Sequence, residues 1–431
     1  MKNRRTTIGR RHCLAAAVLV SLVSGGATAQ DTVKLSFMNY VDGNEDVVFQ
    51  ELIDRFEAEN PGVEIEQNVV AFDVVRDQLE SQLQAGTGPD IARVVALGAL
   101  NPYYLDLKPY VDAADWEADY GAVLPWYRGA AGGDGIYGFH SQLTVTGPFV
   151  NLTMFDEAGV EVPGEGSTWE DWAAATKEVM DETGAYAGMV MDRSGHRFAG
   201  PAMSYGATYF DADGGLVVDD GFKTMVQLMV DWHSDGLMPP DIWPAVSGGK
   251  YTSGNEIFNN GEVAMHMSGS WATNGVATNV GDKFEWVAAP VPCGPAGCGV
   301  MPGGAGVVAF GDTEHPEMAA KFIDFIAQDE NAKFLYGSTF AIPAHAALQA
   351  EGIDYSEFGA DANVAAALNT FAAGAARAAE ETPQAYQLQG SPVNFVMYNT
   401  TAEYVTAAIN GEMSVDEALD KMRDDIAEQT K

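Results

Sequence analysis

Val33, Leu35 and Phe37 are apolar at every second position, and Val48, Leu52 and Phe56 follow at every fourth. The first spacing predicts a strand and the second one stripe of an amphipathic helix. Asp42-Gly43-Asn44 separates them as a turn, Asn60-Pro61-Gly62 stops the helix, and residues 63–70 resume as a strand. Val75, Leu79 and Leu83 predict a second helix closed by Gly86, after which Gly88-Pro89-Asp90-Ile91 opens a third strand, 91–95. Strands alternating with helices at this spacing imply an α/β fold whose mostly parallel sheet is covered on both faces.

The middle of the chain reads differently. Asp134-Gly135-Ile136-Tyr137-Gly138 is a turn leading into an extended stretch, 139–150. Residues 168–180 have the pattern of a capped helix bearing Trp169 and Trp172, and 222–233 and 317–327 are also helical by period. Residues 262–267 alternate again after the Gly261 turn, and the last part of the chain is Ala-rich and mainly helical.

Residues 1–29 have the layout of an export signal: a basic start to Arg11, an apolar run from Leu14 to Val23, and Ala27-Thr28-Ala29 at the end. Ten apolar residues are too few to span a bilayer, which takes about 20. Arg10-Arg11 also fits a twin-arginine signal, for export after folding. The exported chain is expected to start near Gln30 and to work in the periplasm. There, Cys293 and Cys298 flank a Pro/Gly turn and are expected to form a disulfide; a zinc site is the competing reading but needs further ligands nearby.

Charge narrows the partners. The chain has 23 Lys+Arg against 61 Asp+Glu, a net charge of -38. All five cations of the leader leave with it, so the exported part has 18 basic residues and a charge of -43. That balance argues against a nucleic-acid surface, which gains affinity by neutralising phosphates, and against an anionic membrane surface. With 47% hydrophobic and 10% aromatic residues, disorder is excluded as well.

Familiar site motifs are absent or misplaced. Residues 133–138 fit G-x-G-x-x-G but lead into extended sequence instead of a helix, and Asp211-Ala212-Asp213 starts like a calcium loop that has Phe222 where the last ligand belongs. The sequence has no H-E-x-x-H, G-x-S-x-G or phosphate loop. No cofactor and no metal are expected.

The order of features carries more than any one of them. The first helix ends Phe56-Glu57-Ala58-Glu59-Asn60-Pro61-Gly62; then come Gln84-Ala85-Gly86-Thr87-Gly88-Pro89-Asp90-Ile91, Gly135-Ile136-Tyr137-Gly138, Thr168-Trp169-Glu170-Asp171-Trp172, Phe258-Asn259-Asn260-Gly261-Glu262-Val263-Ala264-Met265 and Ala341-Ile342-Pro343. This set resembles the family 1 extracellular solute-binding proteins, the sugar-capturing components of bacterial ATP-driven importers. The resemblance implies two α/β lobes that close on ligand about a three-segment hinge, with crossings near 142–146, 301–304 and 341–345. It implies an N-terminal lobe of 30–142 and 303–342 and a C-terminal lobe of 143–302 and 343–431. By the same likeness, Asn39, Tyr40, Asp42, Arg93, Gln142, Thr144, His196, Arg197, Phe198, Ser270, Trp271, Gly303 and Gly304 are the expected ligand contacts.

A pyranose has apolar C–H faces that stack on aromatic rings and a rim of hydroxyls that needs fixed donors and acceptors, which suits this residue set. Arg93 and Arg197 stand out because the exported part has eight Arg in all. If both face the cleft, the ligand is expected to be acidic; each pairing with a neighbouring carboxylate is the other reading. The resemblance implies a monomeric binding protein that delivers a sugar to membrane permease subunits. The competing functions are an acidic, glycerophosphate-like ligand in the same fold, and a secreted carbohydrate-active enzyme.

Overall fold

The computed structural model describes residues 32–129 and 132–431, so the expected leader and its cleavage point lie outside the described residues. The alternation at the start becomes β1 (Val33–Asn39), which buries Leu35, Phe37 and Asn39. The helix Glu45–Glu59 follows and buries Val48, Phe49, Leu52, Ile53 and Phe56 against it. Next come β2 (Val63–Val69) and β3 (Ile91–Val94), the latter buried throughout. The single helix expected between them is two short ones, Phe72–Asp77 and Leu79–Gln84, because Gln78 leaves helical geometry at φ -120°.

The remaining strands are β4 (Gly138–Asn151), β5 (Ala187–Met191), β6 (Val263–Gly269), β7 (Trp286–Ala288) and β8 (Pro302–Ala309). They follow the order β2-β1-β3-β8-β4-β6-β5, with β7 also on β4. Pairing is parallel within β2-β1-β3 and β5-β6. The crossing strands join antiparallel, β8 to β3 and β4, and β4 to β6 and β7. The chain passes out along β4 and back along β8, so these two must run in opposite senses.

All fourteen residues of β4 are buried, as expected of a strand covered on both faces. Its first part pairs with β8 up to Val145–Pro302, and from Thr146–Gly269 onward it pairs with β6. One strand thus serves both halves of the molecule. The Leu143 N–H donates to the Ile342 carbonyl (3.0 Å) and the Thr146 N–H to the Met301 carbonyl (2.9 Å), so the three expected crossing segments lie side by side.

Beyond Ile342 the chain stays with the first half for longer than the sequence suggested. The helix Ala346–Glu351 packs on the helix Ala113–Tyr120, and the turn Tyr355–Phe358 packs on the helix Asp329–Ser338. The Tyr355 hydroxyl also donates to the Ala341 carbonyl (2.7 Å). The helix Ala362–Glu381 then packs on β4 and β7.

Cys293 and Cys298 are disulfide-bonded. The Cys293 carbonyl accepts from Trp169 and its N–H donates to Ser167, so the loop is pinned to the start of the helix Trp169–Thr183, which Thr168 and Asp171 cap reciprocally. The calcium-like segment is a turn, its Asp211 carboxylate accepting from the Asp213 and Gly215 amides (2.9 and 2.8 Å). Among the described residues, no helix is long and apolar enough to cross a membrane.

Candidate functional site

The cleft between the halves has two walls, each organised by one buried charge. In the first wall this is Arg93, on β3 and 1% exposed. Its Nη1 donates to the Tyr40 carbonyl (2.8 Å), and its Nη2 to Gln142 Oε1 (2.9 Å) and Asp42 Oδ2 (3.2 Å), with Glu45 Oε1 at 3.5 Å. The guanidinium also lies 4.1 Å from the centre of the Tyr40 ring, a cation–π distance. With its Oε1 taken by Arg93, Gln142 has its NH2 left to donate. A β-bulge between His140 and Gln142 breaks the β4 register at this point. Burial raises the Asp42 pKa to about 6, against the pull of Arg93 and with the help of Glu45.

In the second wall the organising charge is Asp192, just after β5 and fully buried. It accepts from His266 Nε2 (2.9 Å), Ser268 Oγ (2.9 Å), the Gly254 amide (2.8 Å), Arg197 Nε (3.3 Å) and the Tyr251 hydroxyl (3.3 Å). Burial alone would raise its pKa, but His266, Arg197 and the Gly254 amide outweigh that and hold it well below the usual carboxylate range. Arg197 in turn lies 3.9 Å from the Trp271 ring centre and 5.6 Å from that of Tyr251. One of its nitrogens meets His196 Nδ1 at 3.0 Å. Burial and this Arg197 charge lower the His196 pKa to about 3, so the imidazole is neutral and Nδ1 accepts while Nε2 donates to the Pro302 carbonyl (3.2 Å).

Two glycines make close approaches possible. A Cβ on Gly269 would collide with the Trp271 indole and the Val145 carbonyl, so the bare backbone gives Trp271 its place at the end of β6. Gly304 has φ +152°, and a Cβ there would strike the Gln142 carbonyl and the His140 imidazole.

These parts enclose a cavity of about 300 Å³. Tyr40, Asp42, Gln142, Thr144, His196, Arg197, Trp271, Gly303 and Gly304 line it, nine of the thirteen expected contacts. Arg93, Asn39, Phe198 and Ser270 do not. Arg93 is the buried support just described. Asn39 is buried and bonds Gln67 Oε1 (2.8 Å), Phe198 packs in the core beside Phe222, and the Ser270 hydroxyl accepts from the Val145 amide (3.2 Å). Of Arg93 and Arg197, both of which pair with carboxylates, only Arg197 lines the cavity.

The structure also brings in residues that the sequence reading missed: Phe72, Arg76, Tyr251, Phe395, Tyr398 and Gln389 among them. Phe72 and Tyr251 come from opposite walls and meet edge-on at 5.8 Å. Nearby, Asn274 Nδ2 donates to Asn44 Oδ1 (2.8 Å), and Asn44 Nδ2 donates to the Ser338 carbonyl (3.0 Å). The two walls are thus in contact beside the cavity.

Residues 51–366 match the family model described as bacterial extracellular solute-binding protein. The chain belongs to that family. Its members bind solutes and are not enzymes. The arabinooligosaccharide-binding protein of Bacillus subtilis is 26% identical over 340 residues, which is 74% of this chain and 76% of that one. The GacH receptor of Streptomyces glaucescens, solved unliganded and with acarbose, shares 18% identity at a TM-score of 0.74, over 91% of this solute-binding protein and 97% of the receptor. An ABC substrate-binding protein of Listeria monocytogenes, solved in complex with cycloalternan, gives 18% and 0.73 over 93% and 99%. These structural likenesses establish the two-lobed α/β fold.

Proposed function

We propose that this solute-binding protein captures a sugar or sugar derivative between its lobes in the periplasm and delivers it, as a monomer, to the permease subunits of an ABC importer. The observation that carries the reading is the lining of the cavity between the walls. Aromatic rings from both walls, Tyr40 and Phe72 on one side and Tyr251 and Trp271 on the other, surround the polar groups of Asp42, Gln142, Thr144 and Arg197. Rings supply stacking faces for C–H surfaces, and the polar groups match a rim of hydroxyls. The names of the Bacillus, Streptomyces and Listeria relatives point to carbohydrates as well.

The cavity's cations favour a neutral ligand over an acidic one. Of the arginines that line it, Arg197 is engaged by Asp192, Arg76 by Asp77 and Asp73, and Arg193 has its donors taken by the Thr406 hydroxyl and the carbonyls of Gly248, Lys250 and Ala402. The crossing geometry supports lobes of about 32–142 with 303–358, and 143–302 with 362–431, the helix Pro383–Gly390 of the second packing across on the helix Leu124–Arg128 and β8 of the first.

A thermal-shift screen across neutral, acidic and sulfonated sugars tests this reading. The expected result is a saturable rise in Tm with a neutral sugar that is recovered unchanged, and at least tenfold weaker binding after Trp271→Ala. Turnover of the sugar would make the protein an enzyme, and a shift with acidic sugars alone would reverse the charge argument.

A further inference from the structure

We propose that Asp119, Asp329 and His345, which lie outside the cavity lining, form a binding site for one transition-metal ion of the Zn²⁺ class. His345 Nε2 lies 3.0 Å from Asp329 Oδ1 and 3.6 Å from Asp119 Oδ2, and the three ligand atoms are mutually within 4.8 Å. They come from separate elements: Asp119 from the helix Ala113–Tyr120, Asp329 from the start of Asp329–Ser338, and His345 from the end of the third crossing segment.

Two carboxylates here converge on one buried imidazole. A single N–H from His345 serves two carboxylates, and among the described residues neither Asp119 nor Asp329 has any other cationic partner. Elsewhere Lys34 and Lys177 pair with one carboxylate each, and Arg76 and Arg93, which serve two, do so with the several donors of a guanidinium. The imidazole is 1% exposed and its Nδ1 has no hydrogen-bond partner, so Nε2 is the one polar contact that the ring makes.

The ligands are also held in place before any ion arrives. Tyr120, next to Asp119, packs its ring edge-on to His345 at 5.1 Å, and its hydroxyl donates to the Ala327 carbonyl (2.6 Å) two residues before Asp329. One buried side chain thus adjoins Asp119, packs on His345 and bonds the chain just before Asp329. The Asp329 side chain is 82% exposed and free to close in, which leaves a solvent side for water as a further ligand.

One imidazole and two carboxylates suit Zn²⁺, which takes N and O ligands at about 2.0–2.2 Å, whereas Ca²⁺ and Mg²⁺ prefer all-oxygen sets. A bound ion would fasten the third crossing segment to the two first-lobe helices.

The test is titration calorimetry and thermal unfolding of chelator-treated protein with Zn²⁺ alone. The expected result is one equivalent bound with a saturable rise in Tm, lost in both Asp329→Asn and His345→Gln. Asp329→Asn changes an exposed side chain and should melt like the wild type before Zn²⁺ is added, so loss of binding there is not a folding defect. Absence of a stoichiometric site, undiminished binding in Asp329→Asn, or an equal response to Ca²⁺ would each overturn the proposal.

Discussion

The two walls of the cleft solve the same problem with opposite charges. On the first, a buried cation, Arg93, gathers acceptors: the Tyr40 carbonyl, Asp42, Glu45 and Gln142. On the second, a buried anion, Asp192, gathers donors: His266, Ser268, Gly254, Arg197 and Tyr251. Neither charge lines the cavity, yet each orients side chains that do. The walls differ in what happens when the central charge is lost. Asp42 sits near a pKa of 6 and can take up a proton to neutralise itself. The second wall has no such reserve, because Arg197 keeps its charge at any pH of interest.

The largest effect expected is therefore on the second side. Asp192→Asn should cost about 3–5 kcal/mol in urea unfolding, the usual range for breaking a buried charge pair, and should abolish ligand binding. Arg93→Met should cost less, roughly 2 kcal/mol, since protonation of Asp42 limits the uncompensated charge. Equal losses would break the comparison.

The pH dependence sharpens it, since the two carboxylates contribute with opposite signs. The folded pKa of Asp192 is depressed, so its contribution is present above the unfolded value of about 3.9 and is lost as pH falls through the lower folded pKa. That of Asp42 is raised, so its contribution is present below about 3.9 and is lost as pH rises to about 6. From pH 4 to 6 the wild type should therefore lose stability relative to Asp42→Asn. The gap between the wild type and Asp192→Asn should narrow only below that window. Urea midpoints measured at each pH check both signs.

A smaller effect tests how the walls meet. Asn274→Ala removes the hydrogen bond to Asn44 without touching the cavity lining, and should weaken the closed state by about 1 kcal/mol. Because ligand binding draws on closure, the Kd should rise roughly fivefold for any ligand, which calorimetry would detect. An unchanged Kd would mean that this contact contributes nothing to closure. The smallest expected effect concerns the exterior shared by both walls. With the Debye length falling from about 10 Å at 0.1 M salt to about 3 Å at 1 M, self-repulsion should be screened and Tm should rise with NaCl. A flat or falling melting curve would count against repulsion.

How much of this could be read from the sequence depended on distance along the chain. β1, its helix and β2 followed from periodicity, and the helix Trp169–Thr183 from its cap, because those signals are local. Gly303, Gly304 and Trp271 were legible through their motif neighbourhood. Arg93 was marked with two readings, ligand contact or carboxylate partner: sequence shows an unusual charge but not which way it faces, and the facing here is set by Glu45 and Gln142, 48 and 49 residues away. Tyr251 carried no signal at all, since it lies in irregular chain between helices. Tyr398 sits within an Ala-rich helical region whose pattern reports burial and not a cavity. The stay of residues 346–358 with the first half was likewise hidden, because it rests on contacts such as Tyr355 to Ala341 that no periodicity encodes.

The strand shared by both sheets has a consequence for how the molecule comes apart. Cutting the chain at the change of partner in β4, between Val145 and Thr146, would leave β8 on the second fragment without either of its neighbours, β3 and the first part of β4, exposing rows of backbone amides and carbonyls on both pieces. Neither half is then a self-sufficient fragment, however separable the two look from outside. Heating should melt them as one cooperative unit, and a gene encoding either half alone should yield an insoluble product.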